Sequence, residues 1–127
     1  MAIISFAYTT DSLLAGEKTV TRRRWKESHM ENFQRWYDEG TRTHDAWDRL
    51  PIQGGKRVGK IRLTGRPYWE PLGEMPEEDL EKEGVPAESL EEFFAAWEIG
   101  LHEEVAVVRF ELTETYVDQQ EYRPTRM

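Results

Sequence analysis

The run Gly16-Glu17-Lys18-Thr19-Val20-Thr21-Arg22-Arg23-Arg24 decides how the rest of the chain is read. From Lys18 to Arg24 it is rich in β-formers and alternates, which predicts a short strand entered from a glycine turn. Strict alternation sends Lys18, Val20 and Arg22 to one face and Thr19, Thr21 and Arg23 to the other. The segment is also the chain's densest in chemistry. Arginine offers planar, bidentate donors for phosphate or carboxylate, and lysine offers a mobile charge or, when desolvated, a base. A threonine hydroxyl near a lysine of lowered pKa forms a nucleophile–base pair. The plainer reading of the same residues is an edge strand whose cations pair with acids elsewhere.

Upstream, the β-branched and aromatic run Ala2–Ala7 predicts a first strand. Thr9, Thr10 or Asp11 caps a short helix through Leu13 and Leu14, and Gly16 ends it. Downstream, Met30, Phe33, Trp36 and Tyr37 recur at helical spacing and predict a helix from Trp25 to Glu39. Residues 41–55 read as an irregular loop. Lys56–Thr64 alternates with a phase change at Gly59, the mark of a bulged strand. Pro76 and Pro86 open two further helices, the second with Leu90, Phe93, Phe94 and Trp97 on its buried stripe. Val105–Thr115 is the strongest strand of all. Short strands interrupted by segregated helices make an α+β domain, not a parallel βαβ sheet. The expected core includes Ile4, Phe6, Val20, Ile61, Val107 and Phe110, within a single domain over residues 1–116 and a tail over 117–127.

The chain has 127 residues, a length that suits one domain needing no disulfide or metal staple. With no cysteine, thiolate nucleophiles and cysteine-ligated zinc are excluded. His29, His44 and His102 lack metal-ligand spacing, so neither a metal nor a cofactor is expected. There is no glycine-rich phosphate loop and no nucleophile elbow, which sets aside dinucleotide and α/β-hydrolase chemistry. No signal peptide or membrane span is visible, and a cytoplasmic setting is expected.

The net charge of −8 hides an uneven distribution. Thr21–Arg66 holds twelve Lys/Arg against six Asp/Glu, and Glu70–Glu114 holds two against fifteen. A chain this acidic suits a pocket for one nucleotide or nucleoside better than nonspecific tracking along a polyanion. The two halves also read as ordinary solvated faces that attract each other.

The stretch Leu14–Arg23, a short helix followed by glycine-x-lysine-x-x-threonine-x-arginine, resembles the signature of the ASCH family. Ile4-Ser5-Phe6, Gly54-Gly55 before the Arg57–Leu63 strand, Glu83-Gly84 and the closing Val107–Phe110 strand fall in the order of that family. The resemblance covers nearly the whole chain. It implies a small PUA-like mixed β-barrel with peripheral helices and a cleft beside the lysine motif.

Members of the family are associated with RNA binding. One bacterial branch hydrolyses the acetamide of N4-acetylcytidine with a lysine, a threonine and a glutamate. Carried over by motif, these are Lys18, Thr21 and Glu83. The resemblance implies that Lys18 takes the Thr21 proton, that Thr21 attacks the amide, and that Glu83 protonates the leaving amine. Arg23 would steady the tetrahedral intermediate or hold a ribose or phosphate. Arg22, charged where that branch is apolar, and the longer 26–53 segment suggest a cleft sized for a different ligand.

Arg22, Arg23, Arg24, Tyr8, Trp25 and Trp69 complete the expected substrate-binding set. Tyr8, Trp25, Trp47 and Trp69 are candidates to stack on a base, a contact worth about 1–3 kcal/mol, or else to pack in the core. Trp36 and Trp97 are read as core. His44 and Asp45 are candidates for the cleft mouth. The expected partner is a modified nucleoside or single-stranded RNA, with no membrane. The alternatives are a non-catalytic RNA-binding module built on Lys18, Arg22, Arg23, Arg24, Lys56 and Arg57, and a metal-independent ribonuclease.

Overall fold

A computed structural model describes residues 2–117. Its spine is the predicted last strand, β6 (Glu104–Thr115). This strand is buried from Val105 to Val108 because four small or β-branched residues there fill both faces of the sheet. Along one edge, β6 pairs antiparallel first with β5 (Tyr68–Pro71) and then with β4 (Arg57–Leu63). Along the other edge it pairs with β2 (Val20–Arg23), with Val20 opposite Arg109 and Arg23 opposite Ala106. The sheet continues from β4 to β3 (Thr43–Trp47) and ends at β1 (Ile3–Ser5), which runs parallel to β3. The mixed sheet curls into a half-barrel flanked by four short helices, the α+β barrel-like architecture expected from the sequence.

The concave side holds Ile4, Phe6, Phe33, Ile61, Val108 and Phe110. The Phe6 and Phe110 rings lie 5.5 Å apart. Burying side chains of this size contributes about 1.5–3 kcal/mol each. The six residues expected in the core are all buried. The phase change near Gly59 is a bulge, where β4 slips against β6 between Lys60 and Ile61. Glycine is required there because a Cβ would stand 2.3 Å from the Glu114 carbonyl oxygen.

Helix α1 spans Thr10–Leu14 and α2 spans Glu27–Asp38, with Met30 and Phe33 fully inside. The two later helices are shorter than expected. The Pro76 segment forms only α3 (Asp79–Lys82), and the next helix, α4 (Leu90–Ala95), begins after Ser89 rather than at Pro86. The Ser89 side chain accepts the Glu92 N–H and caps that start. Around α4, Phe93 packs with Leu72, Met75 and Val105 in a second, smaller apolar cluster.

One expectation is corrected. Residues 41–55 are not wholly irregular, since they contain β3. His44 and Ala46 are its inward residues, so His44 is a core residue and does not line a cleft mouth. Its ring lies 4.9 Å from Phe33, and its Nδ1 accepts the Ala2 N–H at 3.1 Å. Burial pushes the imidazole down to about 4, so it is held neutral. The expected tail lies, apart from Val117, outside the described residues. Among them, no helix is long and apolar enough to cross a membrane.

Candidate active site

Lys18 and Thr19 precede β2, so Lys18 is free of the strand's alternation. Three contacts fix the turn that carries it. The Lys18 N–H bonds Ser12 O at 3.1 Å, the Thr19 N–H bonds Lys82 O at 2.9 Å, and the Ser12 hydroxyl bonds Gly84 O at 2.6 Å. The α3 end and the α1–β2 turn therefore pack backbone to backbone. Gly84 permits the approach: its φ is +69°, and a Cβ there would meet Ser12 Cβ at 2.7 Å and Lys18 Cβ at 3.0 Å. The adjacent Glu83 is thereby delivered to Lys18 across 65 residues of sequence.

Lys18, Thr21 and Glu83, the three residues expected to carry the chemistry, line one cavity of about 560 Å³. All three are nearly sealed from solvent. Lys18 Nζ donates to the Glu83 carbonyl oxygen at 2.5 Å and lies 3.6 Å from its carboxylate Oε1. Burial pushes the Lys18 amine down to about 8; Glu83 pulls against this, and Arg23 and Arg22 add to it. Thr21 Oγ1 accepts a hydrogen bond from Arg23 Nε at 3.0 Å, which leaves its own proton available. Arg23 Nη2 is anchored on the Ser5 carbonyl at 2.6 Å, and burial lowers the Arg23 pKa. Both Glu83 oxygens face cations, Lys18 on one side and Arg22 on the other, so the carboxylate acts as a hydrogen-bond acceptor.

Arg22 has a different place from the one expected. It borders the cavity, but its side chain is fully buried among three carboxylates: Glu83 at 2.8 Å, Asp79 at 2.7 Å and Glu70 at 2.9 Å. Burial lowers its pKa, and these hydrogen bonds outweigh that and raise it. Asp79 also takes two bonds from Arg109, at 3.0 and 2.7 Å. Burial would raise the Asp79 pKa, but Arg109 and Arg22 hold it below the usual carboxylate range. Arg22 thus sets the position of Glu83, with its terminal nitrogens already committed.

The remaining expected binding residues separate. Arg23 and Tyr8 line the cavity, Tyr8 at its mouth with 95% of its surface exposed. Arg24, Trp25 and Trp69 do not. Arg24 is exposed just beyond β2. Trp25 stacks on Phe33 at 4.6 Å, and Trp69 lies half-buried in β5. The aromatic wall comes instead from Phe6, Phe93 and Trp97. Trp97 was expected in the core, and its stripe does face inward, but onto the cavity between the two apolar clusters. Several cations of the basic half are paired: Arg57 with Asp45, Arg62 with Glu111 and Arg66 with Asp38.

The fold has a solved counterpart. The crystal structure of protein EF3133 from Enterococcus faecalis V583, described under the family model DUF984, superposes with a TM-score of 0.54. The alignment covers 95% of this chain and 80% of that one at 14% identity, a likeness of fold alone. No family model and no curated protein sequence matches the chain. Among the described residues there is no cluster of metal-ligating side chains.

Proposed function

We propose that this protein is an ASCH-like hydrolase of small amides, with an N-acylated nucleoside such as N4-acetylcytidine as its substrate type. The observation that supports this reading is the meeting of Lys18, Thr21 and Glu83 in one cavity, with Arg23 on the Thr21 oxygen. The cavity's size is in the range of small-molecule sites, and its aromatic wall suits a flat ring.

In the reaction, neutral Lys18 takes the Thr21 hydroxyl proton as Oγ1 attacks the amide carbonyl. Arg23 supplies positive charge to the oxyanion of the tetrahedral intermediate. The C–N bond then breaks, and the leaving nitrogen receives the proton from the Lys18 ammonium, with the Glu83 carboxylate holding that amine in place. Water next attacks the acyl–threonine ester, Lys18 again taking the proton. The products are a carboxylate and a free amine, and Thr21 is restored.

Turnover of N4-acetylcytidine, followed by its ultraviolet change, tests this. The rate should climb as pH rises to about 8 and level off as Lys18 loses its proton. Thr21→Ala should cut kcat by at least roughly a hundredfold with binding nearly intact. A wild-type protein that binds the nucleoside without converting it, with Thr21→Ala indistinguishable, would defeat the enzyme reading.

A further inference from the structure

Two cations compete for the Glu83 carboxylate. Arg22 Nη1 donates to Oε2 at 2.8 Å, whereas Lys18 Nζ stands 3.6 Å from Oε1 and gives its hydrogen bond to the Glu83 carbonyl oxygen. The arginine keeps the shorter contact because it is itself fixed from behind. Its Nη2 donates to Asp79 at 2.7 Å and to Glu70 at 2.9 Å, and Arg109 grips Asp79 through both of its terminal nitrogens. The Arg22 side chain has no exposed surface, so bulk water does not compete for these bonds.

Where Glu83 stands decides what Lys18 can do. A carboxylate closed onto a buried amine at about 2.8 Å holds it as an ammonium, which has no free electron pair for a proton. A carboxylate held off by a second cation attracts the amine less, and the charge of Arg22 disfavours the ammonium. The other charges that act on Lys18 are Glu83 itself and Arg23, on β2. Asp11 on α1, the neighbouring Glu17, Glu81 and Lys82 on α3 and Glu92 on α4 are exposed, where water screens them. The balance at the amine is therefore set inside the buried cluster.

We propose that Arg22 is a positioning residue: by holding the Glu83 carboxylate off the Lys18 amine, it keeps that amine from closing into a full ion pair and leaves it able to take the Thr21 proton. This rests on the hydrolase reading and adds how its base is kept free. Glu70 acts one step further back. Its charge offsets part of that of Arg22, so removing it strengthens the hold of Arg22 on Glu83.

Carbon-13 NMR of the full chain, with lysine labelled at Cε, follows the Lys18 amine directly; its signal is the one that Lys18→Met lacks. The titration midpoint, about 8 in the wild type, should rise by about one pH unit or more in Arg22→Gln. In Glu70→Gln, whose amide oxygen still accepts the Arg22 bond, it should fall by about 0.3 pH unit or more. Arg62→Gln, which breaks an exposed pair with Glu111, should leave it in place. Opposite movements mark the positioning role, because mere loosening of the packing would admit water and raise the midpoint in both buried-cluster variants. A midpoint unmoved in Arg22→Gln, one that fails to fall in Glu70→Gln, or an equal movement in Arg62→Gln would overturn the proposal. If thermal unfolding shows that Arg22→Gln does not fold, Glu70→Gln decides alone. The rising limb of kcat against pH for N4-acetylcytidine should move with the amine in each variant. Midpoints that move as expected in a protein that never turns over that nucleoside would end the hydrolase reading and keep the hold of Arg22 on the amine.

Discussion

Replacing Lys18 with methionine should make this protein more stable at neutral pH. The side chain is buried, and its amine is pushed down from 10.5 to about 8. In the unfolded chain the same amine keeps its proton up to the ordinary value. Between pH about 8 and 10.5 the unfolded chain therefore binds a proton that the folded one has released, and stability rises with pH across that window. Below pH 8 the folded protein carries the full penalty. At about 1.36 kcal/mol per pKa unit, the gap corresponds to roughly 3 kcal/mol. Lys18→Met removes the titrating group and keeps most of the volume, so it should gain up to roughly that amount at pH 7, less the lost bond to the Glu83 carbonyl. The two proteins should converge as pH approaches 10.5. Urea unfolding at pH 7, 8, 9 and 10, read as the difference between wild type and variant, measures this directly. A variant that is less stable at pH 7, or a difference that stays flat with pH, would refute the desolvated-amine argument and the base it supplies. Under the hydrolase proposal the gain in stability should accompany loss of activity, because the desolvated amine is the proposed base.

Arg22→Met should destabilise by about 3–5 kcal/mol in urea unfolding, since Glu70, Asp79 and Glu83 lose a shared buried cation. A loss under about 1 kcal/mol would show that these carboxylates do not depend on it. His44, held neutral with its pKa pushed down to about 4, makes stability fall on acidification from pH 6.5 downward, by up to roughly 3 kcal/mol. His44→Phe should flatten that acid limb, and an unchanged slope would assign it to other groups.

Much of the fold was legible where one residue type had one physical reason to be where it is. Ile61 and Phe110 alternate with charged neighbours and are buried accordingly. The shifted phase after Val58 announced the bulge. β3 was hidden because its inward residues are His44 and Ala46, neither of which signals a core strand, while Thr43 and Asp45 suggest a loop. At the site, Lys18 and Thr21 stand out in a dense motif, whereas Glu83 came from the family resemblance across a long gap. The Arg22 network was legible only in general form, as an edge strand whose cations pair with acids elsewhere: Glu70 and Asp79 are ordinary acids in sequence, and only the fold brings them to one guanidinium. Trp97 was placed on the inward face of its segment, although α4 itself ends at Ala95 and Trp97 lies just past it. The sequence had no means of showing that this face meets a cavity.

The arrangement of β6 also dictates when the site can exist. Among the described residues β2, which carries Thr21 and Arg23, pairs with no strand except β6, and Val20 waits for Arg109, far along in sequence. β4 and β5 likewise pair along β6. Such pairings close long loops before any contact repays the entropy, which slows folding. During synthesis β2 leaves the ribosome before β6 and waits for its template until β6 emerges. The strand that carries Thr21 and Arg23 therefore has no template until β6 is made, and the cavity cannot assemble before that.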